Sequence, residues 1–186
     1  YQPRTEPDAV EIERAVALMR KAKRPVFYTG GGVINSGPEA STALRALQEA
    51  TGFPVTSTLM GLGAFPASHP DWLGMLGMHG SYEANHTMHD CDLLICVGAR
   101  LDDRVTGRVD AFSPGSKKIH IDIDPSSINK VIPIDIPIIA DCRKALDAML
   151  KAWKGSRARK PDLSDWKAQI DTWREKRCFE FVQTGD

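Results

Sequence analysis

Five short apolar runs punctuate the chain, and each carries glycine, a small polar residue or an acid at or near its end. They read PVFYTGGG (25–32), FPVTSTL (53–59), DLLICVGA (92–99), KKIHIDID (117–124) and IPIIAD (136–141). A strand with one face in water alternates apolar and polar residues, whereas a continuously apolar strand must be covered on both faces. Segments with helical spacing separate the runs. ERAVALMRKAKR (13–24) carries Val16, Leu18 and Met19 among charges, behind Ile12. PEASTALRALQEATG (38–52) opens on a proline suited to a first helical turn, groups Ala43, Leu44 and Leu47, and closes at Gly52. SYEANHTMHDC (81–91) predicts a short helix capped by Ser81, and DCRKALDAMLKAW (141–153) one begun by Asp141. DWKAQIDTWREKRCFEF (165–181) predicts a last helix with Trp166, Ile170 and Trp173 on one stripe. Residues 59–81, rich in Gly and Pro, read as a long irregular loop, and 154–164 as a basic linker. Strands alternating with helices give an α/β class, with a parallel sheet of about six strands and helices on both faces.

Composition narrows the function. The chain has 24 Lys and Arg against 24 Asp and Glu, a net charge of zero. That balance speaks against a nucleic-acid partner, which draws a basic excess. No apolar run approaches the ~20 residues that span a bilayer, so no membrane partner is expected. Cys91, Cys96, Cys142 and Cys178 form no CxxC pair and are expected to be reduced thiols, with a cytoplasmic location. The chain opens at Tyr1 and its first methionine is Met19, so it is expected to be a piece of a longer protein.

In open parallel sheets, ligands bind at the carboxyl ends of the strands. That edge collects Gly30-Gly31-Gly32, Thr58-Leu59, Gly98-Ala99-Arg100, Asp122-Ile123-Asp124 and Asp141. The three glycines suit either close approach of backbone to a phosphate or a plain tight turn. TGGGVINSG lacks the GxGxxG spacing and gives no helix start. Arg100 and Arg104 offer planar forks for phosphate oxygens, steadied by Asp102 or Asp103; the alternative is a solvated loop ion pair. Asp122 suits ribose hydroxyls, and Asp124 an Asp-Pro turn. His86 and His89 are three apart, but no third ligand has matching spacing, so no metal is assigned. No Ser-His-Asp or paired-carboxylate set is present. The residues point to a Rossmann-like α/β domain that binds a phosphate-bearing nucleotide across its strand ends, with no catalytic group evident.

TGGGVINSG, VTSTLMGLGAFP, LGMLGMHG, VGARLDDRVTG and IHIDIDP occur in this order. Together they resemble the central domain of the acetolactate synthase (acetohydroxyacid synthase) large subunit, a thiamine-diphosphate enzyme, over about residues 10–150. The resemblance implies a central FAD-binding domain of the DHS-like NAD/FAD-binding fold over 1–153, and a linker and helix over 154–186 leading toward a C-terminal domain. It places FAD contacts on Gly31, on Thr58 and Leu59, and on Leu76, Gly77, Met78 and His79. Further contacts are Gly98, Ala99, Arg100, Leu101, Asp102, Asp103 and Arg104, then Asp122 and Ile123, then Asp141 and Cys142. Arg100 is expected at the pyrophosphate or flavin side and Asp122 at ribose or adenine. Met78, Asp103 and Arg104 match positions near the mouth of the active-site channel.

The resemblance also implies what lies elsewhere. Thiamine diphosphate, Mg2+ and the catalytic glutamate belong to flanking domains of the same subunit, so the fragment alone is expected to be inactive. The complete enzyme joins two pyruvates, or pyruvate and 2-oxobutyrate, in branched-chain amino-acid biosynthesis. It works as a homodimer or tetramer, with a possible small regulatory subunit. Two alternatives are the central domain of a related carboligase such as glyoxylate carboligase, and a stand-alone NAD- or ADP-binding module.

Overall fold

A computed structural model describes residues 2–155 and 159–181. Residues 156–158, within the expected basic linker, lie outside the described residues. In chain order the elements are α1 (Ala9–Lys21), β1 (Pro25–Thr29), α2 (Gly31–Asn35), α3 (Pro38–Thr51), β2 (Val55–Ser57), β3 (Trp72–Met75) and α4 (Tyr82–Asp90). They continue as β4 (Leu93–Val97), α5 (Asp103–Thr106), β5 (Lys117–Asp122), β6 (Ile136–Ile139), α6 (Cys142–Gly155) and α7 (Ser164–Arg174).

The apolar runs form one sheet in the order β3-β2-β1-β4-β5-β6, with every neighbouring pair parallel. All five residues of β1 and all five of β4 are buried, as strands covered on two faces must be. Pro137 sits in β6, an edge strand, where its missing N–H breaks no inner ladder. Alternate residues feed two separate cores. Phe27, Ile95, Ile119 and Ile138 pack beneath α1, α3 and α6, with Met19, Leu44, Leu47, Leu146 and Met149. Val26, Tyr28, Leu94 and Cys96 face the other way, toward Met88 of α4 and Trp166 and Ile170 of α7. The C-terminal helix is therefore a layer of the fold. Its Trp166 indole N–H donates to the Pro25 carbonyl at 3.0 Å, and Lys167 pairs with Asp71 at 2.7 Å.

The helix signals hold where side-chain chemistry fixes them. Ser81 Oγ accepts from the Ala84 N–H at 3.1 Å, Pro38 opens α3, and Gly52 ends it with φ 73°. Four boundaries differ from the sequence reading. The first helix begins at Ala9 rather than near 13, because Asp8 accepts from the Val10 N–H and caps it there. A helix does start in TGGGVINSG, at Gly31. The stretch 59–81 contains β3, an edge strand that pairs with β2 through a register shift. The last helix stops at Arg174 rather than running to 181, and Arg177 turns the chain at φ 46°.

Candidate functional site

The strand order reverses between β1 and β4: β1 leads outward to β2 and β3, and β4 leads the other way to β5 and β6. Such a switch point opens a crevice at the carboxyl ends of the strands. Here the two strand exits almost touch. The Gly30 N–H donates to the Val97 carbonyl and the Gly32 N–H to the Gly98 carbonyl, both at 2.9 Å. A Cβ on Gly30 would lie 2.3 Å from the Gly98 oxygen, and one on Gly32 would lie 2.6 Å from the Gly98 Cα. Gly98 itself adopts φ 59°, the left-handed region that a side chain disfavours. Gly30, Gly32 and Gly98 are thus required by backbone meeting backbone, whatever binds above them.

Above that contact lies a cleft of about 760 Å³, within the usual size of small-molecule sites, roughly 300–1,000 Å³. Of the residues expected at a cofactor, Gly31, Thr58, Leu59, Gly98, Arg100, Asp102, Arg104, Asp122, Ile123, Asp141 and Cys142 line it. Asp103 opens α5 beside it, while Ala99 and Leu101 are buried beneath it. Leu76 and Gly77 line a separate small pocket with Asn85, Met88 and Thr106. Met78 projects into solvent at 91% exposure, and His79 borders an apolar groove with Leu62, Trp72 and Phe179. The structure therefore brings the strand-end residues together and leaves 76–79 outside their cleft. Asn35, Ser36, Met60, Val105 and Ser127 also line it and were missed from sequence. The short helix behind Gly31 brings the first two there, and at five residues it leaves no periodic signal in the sequence. A second cleft, of about 780 Å³, lies at the opposite edge of the sheet among Arg24, Asp92, Asp165 and Trp166. It collects neither glycine turns nor strand-end acids.

The two walls of the switch-point cleft differ in charge. The β4 wall carries Arg100 and Arg104 with Asp102 between them; the β5 and β6 wall carries only acids, Asp122, Asp124 and Asp141. Arg100 pairs with Asp102 at 3.3 Å but stays largely exposed. Such a pair is worth about 0–1 kcal/mol, so turning the guanidinium toward an anion costs little. Asp141 Oδ1 accepts from the Lys144 N–H at 3.2 Å at the start of α6, so a carboxylate already occupies that positive helix end. An anionic ligand is accordingly steered to the arginine wall. Asp122 Oδ1 accepts from the Asp124 N–H at 2.9 Å, leaving acceptor capacity for hydroxyl groups. Leu59, Met60 and Ile123 stand exposed around the mouth and offer apolar contact to flat rings.

No group in the cleft is set up as a nucleophile. Burial, with Asp141 and Asp122 nearby, raises the Cys142 thiol to about 12, so it remains protonated at neutral pH. His120, fully buried below the cleft, is held under its usual value by desolvation, which outweighs the opposing pull of Asp122 and the Ala99 carbonyl. His86 is packed between Tyr82 and Trp173, with ring centroids at 4.2 and 5.3 Å. Among the described residues no group of three or more His, Cys, Asp or Glu stands close enough to hold a metal ion. No described helix is long and apolar enough to cross a membrane.

A switch-point cleft with arginines on one wall and strand-end acids on the other offers partners for phosphate and hydroxyl groups. A family model described as thiamine pyrophosphate enzyme, central domain, matches residues 12–149. The chain belongs to that family. It is 45% identical over 183 residues to the acetolactate synthase isozyme 3 large subunit of Escherichia coli K12, a match covering 97% of this chain and 32% of that protein. It is 49% identical over 166 residues to the acetolactate synthase large subunit of Corynebacterium glutamicum, covering 89% and 26%. The acetolactate synthase large subunit of Haemophilus influenzae is 40% identical over 186 residues, covering 100% and 32%. The chain thus spans about a third of the length of the curated relatives it matches.

Proposed function

We propose that this chain is the FAD-binding central domain of an acetolactate synthase large subunit, in which 154–186 leads toward the next domain and its helix α7 docks back on the 1–153 unit as a layer of it. The observation that carries the reading is the switch-point cleft: arginines on one wall, strand-end acids on the other, in a chain of the thiamine pyrophosphate enzyme family. Arg100 and Arg104 would hold the diphosphate, Asp122 the ribose hydroxyls, and Leu59, Met60 and Ile123 would border the ring systems. Gly31, Thr58, Gly98, Asp102, Asp141 and Cys142 complete the lining. Leu76–His79 and Asp103 would reach the cofactor only from the rim. Joining two pyruvates to acetolactate with loss of CO2 involves no net redox change, so bound FAD would serve as a rigid wall rather than an electron carrier.

In the complete enzyme, thiamine diphosphate and Mg2+ would be held by flanking domains of the same subunit. Homo-oligomers and a small regulatory subunit would be its partners, and the cytoplasm its place. All four cysteines are free, which fits a reducing compartment. The test is a titration of the chain with FAD, ADP and NAD, followed by flavin fluorescence and melting temperature. Selective stabilisation by FAD, weakened by Arg100→Ala, supports the reading. Preference for NAD or ADP over FAD would turn it toward a nucleotide-sensing module.

A further inference from the structure

His120 and Asp122 are two apart on β5, so both side chains project from the same face of the sheet. At the end of neighbouring β4, Gly98 takes a positive φ and the Ala99 carbonyl that follows points into the core. That carbonyl accepts from Cys96 Sγ at 3.0 Å and from His120 Nε2–H at 2.9 Å. With it held, Ala99 and Leu101 are buried, while Arg100 and Asp102 face the cleft. The same Nε2 lies 3.7 Å from Asp122 Oδ2. The single Nε2 hydrogen is thus committed to the β4 side, and Asp122 lies beyond hydrogen-bond reach.

The arrangement carries a cost. With the proton on Nε2, Nδ1 is a bare acceptor, buried and without a partner among the described residues. An unsatisfied buried acceptor is destabilising, and an apolar side chain of similar size would avoid that. Stability alone gives no reason for a histidine here; what the residue supplies is the Nε2–H donor.

We propose that His120 is a positioning residue for dinucleotide binding: it fixes the Ala99 carbonyl, and so the aim of Arg100 and Asp102. The inference rests on the FAD reading of the cleft. It separates the residues that would touch the ligand from the one that sets their spacing.

The test is an FAD titration of the 186-residue chain as wild type, His120→Leu, His120→Gln, Arg100→Ala and the His120→Leu/Arg100→Ala double variant. His120→Leu is expected to weaken FAD by about tenfold, the scale of one lost hydrogen bond. His120→Gln, whose Nε2 amide reaches the same carbonyl, is expected to stay within about threefold of wild type. Arg100→Ala should cost less in the His120→Leu background than alone, a coupling that an indirect loss of stability would not produce. If the Leu variant fails to melt cooperatively, His120→Asn replaces it: this amide is one carbon too short, so it should bind FAD more weakly than the Gln variant. Wild type that binds FAD, with the Leu variant (or the Asn variant against Gln) binding as tightly, overturns the positioning role and leaves the FAD reading standing. Additive losses in the double variant do the same. Wild type without saturable FAD binding overturns both.

Discussion

Replacing Gly98 by alanine tests whether the two halves of the sheet meet as closely as the structure has them. The new Cβ would lie 2.7 Å from the Gly32 Cα and 2.8 Å from Cys142 Sγ, against about 3.5–4.0 Å for relaxed carbon contacts. Gly32 contributes backbone rather than a flexible tip, so relief requires β1 and β4 to separate. Overpacking of this kind costs about 1–3 kcal/mol. The left-handed φ of 59° adds about 1 kcal/mol. The sum, about 2–4 kcal/mol, lowers the melting temperature of a chain this size by roughly 4–16 °C. Gly52→Ala is the internal control. Its φ is 73°, but its Cβ meets only the end of the Lys160 side chain, so it carries the backbone cost alone, about 1 kcal/mol. Thermal melts followed by circular dichroism read both variants side by side. A Gly98→Ala shift no larger than that of Gly52→Ala would refute the close approach of the strand exits.

Three further outcomes follow from the same geometry. Trp166→Ala removes a buried ring and the donor to the Pro25 carbonyl; urea unfolding should show a loss of about 3–5 kcal/mol, and a loss under 1 kcal/mol would mean that α7 is not a structural layer. Burial holds the His120 pKa below its unfolded value, so the unfolded state takes up the proton first as pH falls. Stability should therefore be level above about pH 6.5 and decline below it until the folded pKa is reached; a urea midpoint that falls equally in wild type and His120→Gln between pH 7.5 and 5.5 would contradict this. Cys91, Cys96 and Cys142 are buried and Cys178 is exposed, so a thiol reagent should label one cysteine quickly in the native protein and the others only on unfolding. Two fast thiols would count against the packing around Cys142.

Much of this architecture was legible because the sequence states it locally. A run such as LLICV has no polar residue to face water, so its two-sided burial follows from composition. The Ser81 cap, Pro38 at a helix start and Gly52 at a helix end are decided by atoms within a few residues. Other features depend on tertiary partners. WLGM reads as loop because Gly74, at φ 84°, breaks the pattern, yet pairing with β2 makes it a strand. The five-residue α2 is too short for any periodic signal, so Asn35 and Ser36 could not be placed at the cleft. Strand ends pointed to Arg100 and Asp122 through one simple rule, but nothing local says that Leu76–His79 lie away from them. His120 was passed over because an apolar strand with one histidine looks like ordinary core; its role emerges only when the Ala99 carbonyl is seen beside it.

The most direct measurement of the central claim is amide hydrogen exchange of the chain with and without FAD, read by mass spectrometry. If the switch-point cleft is the cofactor site, FAD slows exchange around residues 30–36, 98–105 and 122–127, which line it. Residues 20–24, at the opposite edge of the sheet, stay unchanged. Protection confined to that opposite edge, or slowed exchange that misses the strand exits, would contradict the account.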